Sequence, residues 1–176
     1  MKYVTLFCLI TFGLKGYAQQ PTPEQIKMVE DARKEVKRMK GEKFPSFELT
    51  TIEGKTYSSG DLLGKIVVFN FWFTSCRPCI EELPDINALK KEFENEDIVF
   101  IAPTWEDLSK VKRFLTRFNM EYEVVADVKE FAVENNIYSY PTHFVIDRKG
   151  YIEKVVIGYS VVTDNMLRKA INKLLK

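Results

Sequence analysis

The hydrophobic positions of this chain change period several times along its length. From Ile66 to Phe73 they run almost unbroken, interrupted only by Asn70, and the run is rich in β-branched and aromatic residues. Such a run predicts a strand buried on both faces. Upstream, Phe47 and Leu49 alternate with polar residues, Glu53-Gly54 marks a turn, and residues 55–57 return as a second short strand, which predicts a β-hairpin ahead of the buried strand. Downstream, Leu83, Ile86, Leu89 and Phe93 share one face of a helix predicted over residues 77–94, kinked at Pro84.

The alternation continues to the C-terminus. Residues 97–102 form the next buried strand, and Leu108, Val111, Leu115 and Phe118 mark a helix by their spacing. Residues 123–126 read as a strand, 129–134 as a short helix and 143–146 as another strand. Arg148-Lys149-Gly150 turns the chain into residues 151–157, an antiparallel hairpin, and Thr163 or Asp164 caps a last helix running through Leu175. Strands alternating with helices and closed by a hairpin predict an α/β fold, a central mixed sheet with helices on both faces. The domain is placed at residues 44–176. Residues 19–43, rich in Glu, Lys, Arg and Gln, have only a partial apolar face (Ile26, Val29, Val36, Met39), and read either as an amphipathic helix starting at Pro23 or as a solvated spacer.

The first residues follow a different pattern. Lys2 precedes an apolar run from Tyr3 to Leu14 that is too short to span a bilayer, and Gly16-Tyr17-Ala18 places small residues where a signal peptidase reads them. We therefore expect residues 1–18 to be a secretory signal peptide cleaved after Ala18, and the mature protein to be exported and periplasmic, or otherwise extracytoplasmic. Cys8 lies inside the apolar run, not at a lipoprotein box, so lipid attachment is not expected. Cleavage would remove Lys2 and Lys15 from the 26 basic residues and none of the 25 acidic ones, leaving 24 against 25 and a formal charge of −1. With no basic block, nucleic acid is not an expected partner.

Cleavage would also leave two cysteines, Cys76 and Cys79. A disulfide between residues this close closes a tiny loop and staples almost nothing. A structural zinc site would need two more soft ligands, and His143 is the chain's one histidine. Reactivity explains the pair better. Cys76-Arg77-Pro78-Cys79 lies where the buried strand ends and a helix begins, so helix amides favour a thiolate at Cys76, and Arg77 adds positive charge. Pro78 is tolerated in the first turn. Cys79, one turn deeper, is placed to attack a mixed disulfide formed at Cys76.

The segment Asn70-Phe71-Trp72-Phe73-Thr74-Ser75-Cys76-Arg77-Pro78-Cys79 resembles the active-site strand and loop of the TlpA/ResA-like thiol–disulfide oxidoreductases of the thioredoxin superfamily. Pro45, Phe47, Leu49, Gly54, Leu62 and Gly64-Lys65 resemble that family's N-terminal β-hairpin extension, and Tyr140-Pro141-Thr142 with Phe144 to Asp147 and Gly150 resembles its cis-proline loop. The resemblance implies a thioredoxin-like fold and a protein-disulfide reductase with no cofactor beyond the redox-active Cys76–Cys79 disulfide. The implied partners are protein thiol or disulfide substrates, such as oxidised apocytochrome c, and a membrane thiol transporter as electron donor.

The resemblance also implies site roles. Pro141 should be cis, should pack against the cysteines and should turn the Tyr140 backbone toward an extended substrate; Ser75, Arg77, Pro78 and Tyr140 would meet that substrate. Glu82 matches a glutamate that the family places near its thiols, where it influences their acidity, and a carboxylate beside the buried thiol could accept its proton during exchange; on a helix, Glu81 and Glu82 read equally as surface charges. Asn70 replaces the buried aspartate of thioredoxins proper, and Ser75 replaces a tryptophan common before the first cysteine. Trp72 fits the family's buried tryptophan. His143 reads as a half-buried strand histidine with no catalytic duty. A thiol peroxidase is disfavoured because Phe73 stands where the orienting threonine would be, and a binding module without turnover is disfavoured by the intact cysteine pair.

Overall fold

The computed structural model describes residues 22–176. The proposed signal segment, its cleavage site after Ala18 and Cys8 lie outside the described residues. Among the described residues no helix is long and apolar enough to cross a membrane.

The chain builds a five-stranded mixed sheet in the order β5-β4-β3-β6-β7, with a separate two-stranded hairpin. Strand β3 (Ile66–Phe71) is its centre and is buried at every residue. It pairs in parallel with β4 (Ile98–Pro103) and antiparallel with β6 (Thr142–Ile146). β5 (Glu123–Val125) extends the parallel side and β7 (Ile152–Ile157) closes the antiparallel side. The hairpin joins β1 (Glu48–Thr50) to β2 (Thr56–Ser58), with Gly54 taking the positive φ of 88° that the turn requires.

Because successive strand residues point to opposite faces, β3 feeds two cores. Ile66, Val68 and Trp72 pack with helices α3 (Leu83–Glu92), α4 (Leu108–Leu115) and α6 (Thr163–Leu174), and this core also holds Cys76 and Cys79. Val67, Phe69 and Phe71 pack with the hairpin, Phe44 and helix α5 (Lys129–Glu134) in the second core. Helices thus cover both faces, as the α/β reading anticipates.

Helix α1 (Pro23–Arg38) begins with a capping box in which the Gln25 amide donates to the Thr22 hydroxyl and the Gln25 side chain accepts from the Thr22 amide. Most of the helix is exposed, but Val36 in its last turn is buried in the second core. Beyond it, Gly41 and Phe44 amides donate to Ile152 and Gly150 carbonyls. Residues before Phe44 are therefore paired to the start of β7.

Two local expectations change. The helix predicted over residues 77–94 is two helices, α2 (Arg77–Glu81) and α3, meeting at Glu82. Pro84 has no N–H to offer the Ile80 carbonyl one turn back, so the ladder breaks there. The last helix has Val162 as its N-cap, with no side-chain bond; Thr163 instead accepts from the Ser160 amide and donates its own amide to the Ser160 carbonyl, closing a turn.

Candidate active site

Three chain segments leave the sheet at one end. The Phe73–Cys76 stretch follows β3, Thr104–Asp107 follows β4, and Tyr140-Pro141 enters β6, whose Thr142 lies opposite Phe71. Cys76 and Cys79 form a disulfide here, with Cα atoms 5.2 Å apart. Cys76 is the N-cap of α2, and its Sγ accepts from the Cys79 amide at 3.2 Å. A donor of this kind favours the sulfur when it carries negative charge. Both cysteines are buried in the oxidised form.

The remaining residues named from the sequence surround this pair unevenly. The Tyr140–Pro141 bond is cis, and the Pro141 carbonyl accepts from the Gly158 amide at 2.7 Å. Tyr140 presses its ring edge onto Phe73, with centroids 5.3 Å apart, and its hydroxyl donates to the Ile137 carbonyl at 3.0 Å. Burial pushes the Tyr140 hydroxyl up to about 12. Ser75 is exposed and Pro78 half-buried. Arg77 also points to solvent: its side chain is 88% exposed and its Nε donates to Glu81 at 2.7 Å. That carboxylate raises the Arg77 guanidinium through the hydrogen bond and its charge, and solvent screens the pair. The Cys79 amide is the donor that reaches Cys76 Sγ, while the Arg77 guanidinium is turned to Glu81 and solvent.

Glu82 is not a surface charge. It is fully buried, one helical turn beyond Cys79, where residues three apart are neighbours on the helix surface. Its Oε1 accepts from Asn70 Nδ2 at 3.2 Å, and its Oε2 lies 3.1 Å from His143 Nε2. The half-buried histidine expected from the sequence is likewise fully buried, because β6 lies inside the sheet and His143 pairs with Asn70 across β3. Burial lifts the nearby Tyr122 hydroxyl well above its usual range, and the charge of Glu82 lifts it further.

A second buried carboxylate escaped the sequence reading. Glu106, in the loop after β4, accepts from the Thr74 amide at 2.6 Å and from the Thr74 hydroxyl at 3.1 Å, and it pairs with Lys110. It holds the chain two residues before Cys76. In sequence it reads only as an acid just before α4, whose N-cap is Asp107. Trp105 beside it is 40% exposed and packs on Phe73, so Trp105, Phe73 and Tyr140 form a continuous aromatic shelf. Glu106→Ala will cost about 2 kcal/mol or more, the worth of charge-assisted hydrogen bonds left without their acceptor. Urea unfolding measures this, and a loss below about 0.5 kcal/mol, the scale of neutral surface changes, would show that the clamp is not needed.

A sulfur capping a helix that starts at the end of a buried strand, disulfide-bonded to a second sulfur one turn deeper, defines a class of protein on this strand order: the thioredoxin-fold thiol–disulfide oxidoreductases. Residues 40–155 match the AhpC/TSA family, and the chain belongs to that family of thioredoxin-like proteins. It is 32% identical over 131 residues to the thioredoxin-like protein YneN of Bacillus subtilis, covering 72% of this chain and 76% of that one. It is also 32% identical over 120 residues to the thiol-disulfide oxidoreductase ResA of Bacillus thuringiensis, covering 67% and 69%. Its fold matches a putative thiol:disulfide interchange protein DsbE from Chlorobium tepidum with a TM-score of 0.71 at 24% identity, over 78% of this chain and 98% of that one. On its likeness to the ResA relative, this chain is a thiol–disulfide oxidoreductase.

Proposed function

We propose that the protein works outside the cytosol as a disulfide reductase, with Cys76 as the attacking sulfur and Cys79 as the resolving one. The observation that carries this reading is the Cys76–Cys79 disulfide at the start of α2, with the Cys79 amide aimed at Cys76 Sγ. In the reduced protein the Cys76 thiolate attacks a substrate disulfide. One substrate sulfur bonds to Cys76 and the other leaves as a thiolate that takes a proton from water. Cys79 then gives up its proton, with Glu82 as acceptor, and attacks Cys76 Sγ. The mixed disulfide breaks, the second substrate thiol is released, and two electrons have passed from the pair to the substrate.

An extended substrate segment would run beside the backbone at Tyr140 and Pro141, as an added strand. Ser75, Arg77, Pro78 and Tyr140 would border it. Oxidised apocytochrome c or other exported thiol proteins are the substrates this reading favours. A membrane thiol transporter returns the electrons, and no cofactor beyond the disulfide takes part. Export rests on the signal-like residues 1–18.

Two measurements test the reading. The Cys79→Ser protein, expressed in its own compartment, will accumulate mixed disulfides at Cys76 that reducing agent releases, and their identity gives the substrate. Titrated against glutathione, the wild-type pair will show a potential roughly between −270 and −180 mV, the span from thioredoxin to the isomerases. A value near about −120 mV, that of a strong oxidant, would reverse the direction of flow.

A further inference from the structure

Glu82, His143 and Asn70 make a buried polar cluster inside an otherwise apolar core, next to the resolving cysteine. All three are 1% exposed or less. A carboxylate in such a place is costly unless it is hydrogen-bonded or paired. Asn70 Nδ2 and His143 Nε2 supply that from neighbouring strands, since the two residues face each other across the β3–β6 pairing. His143 has capacity left over. Among the described residues its buried Nδ1 has no hydrogen-bond partner, so the ring touches Glu82 through one nitrogen only. A histidine needed only to fill space in a strand would be an expensive choice there, because an apolar residue leaves no unpaired nitrogen.

We propose that His143 is a positioning residue for the exchange reaction: it holds Glu82 one turn below Cys79 and shares with it the proton that Cys79 loses. The proposal deepens the reductase reading and rests on it. When Cys79 resolves the mixed disulfide, its S–H bond breaks and the proton is taken up across the Glu82 Oε2···His143 Nε2 contact. The Cys79 thiolate forms the new bond to Cys76, and the substrate sulfur leaves with the electron pair of the broken bond. When a donor thiol later reopens the Cys76–Cys79 disulfide, Cys79 departs as a thiolate and takes the same proton back. A pair buried to this degree thereby keeps its proton through the cycle.

The other groups facing this contact do not compete for that proton. Cys79 lies three residues before Glu82, on α2, and Asn70, which does not titrate, reaches Glu82 from β3. Tyr122, before β5, is raised by burial and by the charge of Glu82, and Tyr159, beyond β7, is raised first by its hydrogen bond to Asp85. Asp85 itself accepts from Tyr159 at the surface.

The test follows the reduced, untagged chain carrying Cys8→Ser, so that Cys76 and Cys79 are its two thiols, reacting with dithio-bis-nitrobenzoate. Attack by Cys76 releases one coloured thiolate, and resolution by Cys79 releases the second. His143→Gln keeps a donor for Glu82 but cannot share a proton. It will leave the first release within about twofold of wild type and slow the second about tenfold near neutral pH, at the low end of general-base effects. The deficit will close as pH rises past about 8.5, where a thiol loses its proton to bulk base unaided. Glu82→Gln will show the same profile, and the double variant will be no slower than either alone. Equal slowing at every pH, or additive slowing in the double variant, assigns His143 a structural role and overturns the proposal. No coloured release from wild type overturns the exchange reading and the proposal with it; normal release that His143→Gln leaves unchanged overturns the proposal alone. A second measurement needs no substitution. The chain has one histidine, so its ring nitrogens give one pair of 15N signals, which will shift between the disulfide and dithiol forms. Identical signals in both forms across the pH range would refute the shared proton.

Discussion

Cys76→Ser will reduce insulin disulfides no faster than buffer does, a loss of about a thousandfold or more against wild type. The expectation follows from where the sulfur sits. Cys76 Sγ receives the Cys79 amide at 3.2 Å, and that donor stabilises a charge the serine oxygen does not carry near neutral pH. Serine keeps the N-cap hydrogen bond, since a hydroxyl oxygen is a favoured acceptor at that position. Helix α2 should therefore start normally, and the variant should melt within a few degrees of the reduced wild type. A circular dichroism melt and an insulin turbidity assay on the same sample read both quantities. Substantial turnover by Cys76→Ser would move the nucleophile elsewhere. Absence of turnover in wild type as well would favour a thioredoxin-fold binding module.

Most of the fold was readable because its signals are local. The run from Ile66 to Phe73 could only be a doubly buried strand, and the structure buries β3 throughout. The hairpin, β4, α5 and β7 also lie close to their expected positions. The departures have local causes too: Pro84 ends a helix ladder, and Thr163 closes a turn where a cap was expected. The cysteine pair and the cis bond at Pro141 were legible from motif and resemblance.

What the sequence did not carry are contacts between positions far apart. Glu106 reaches Thr74 across 32 residues and Glu82 reaches His143 across 61. A carboxylate written into a helix start looks the same whether it faces water or a histidine. The burial of Glu82 and His143 depends on how α2 and β6 meet over β3, which no single periodicity encodes. Arg77 shows the converse. Adjacent in sequence to the nucleophile, it spends its charge on Glu81 in solvent.

Phe69→Ala will be the most damaging single change to stability among the aromatic positions of the second core. Phe69 is fully buried, stacks on Phe44 with centroids 4.9 Å apart and meets Phe47 edge-on at 5.3 Å. It thus ties the central strand to the segments that precede it, and truncation leaves a cavity between parts that cannot collapse independently. Such substitutions cost about 3–5 kcal/mol, a large share of the roughly 5–15 kcal/mol that stabilises a domain. For a chain of this length that lowers the melting temperature by roughly 6–20 °C. Leu63→Ala, at a side chain 56% exposed, is the control and should change stability by less than about 0.5 kcal/mol. Phe69 and the cysteines lie on opposite faces of β3, in separate cores. The folded fraction of Phe69→Ala should therefore exchange disulfides at close to the wild-type rate below its melting point. A loss under about 1 kcal/mol would mean that the two faces repack as one. A folded variant that had lost exchange activity would mean that the second core also sets the geometry of the cysteine loop.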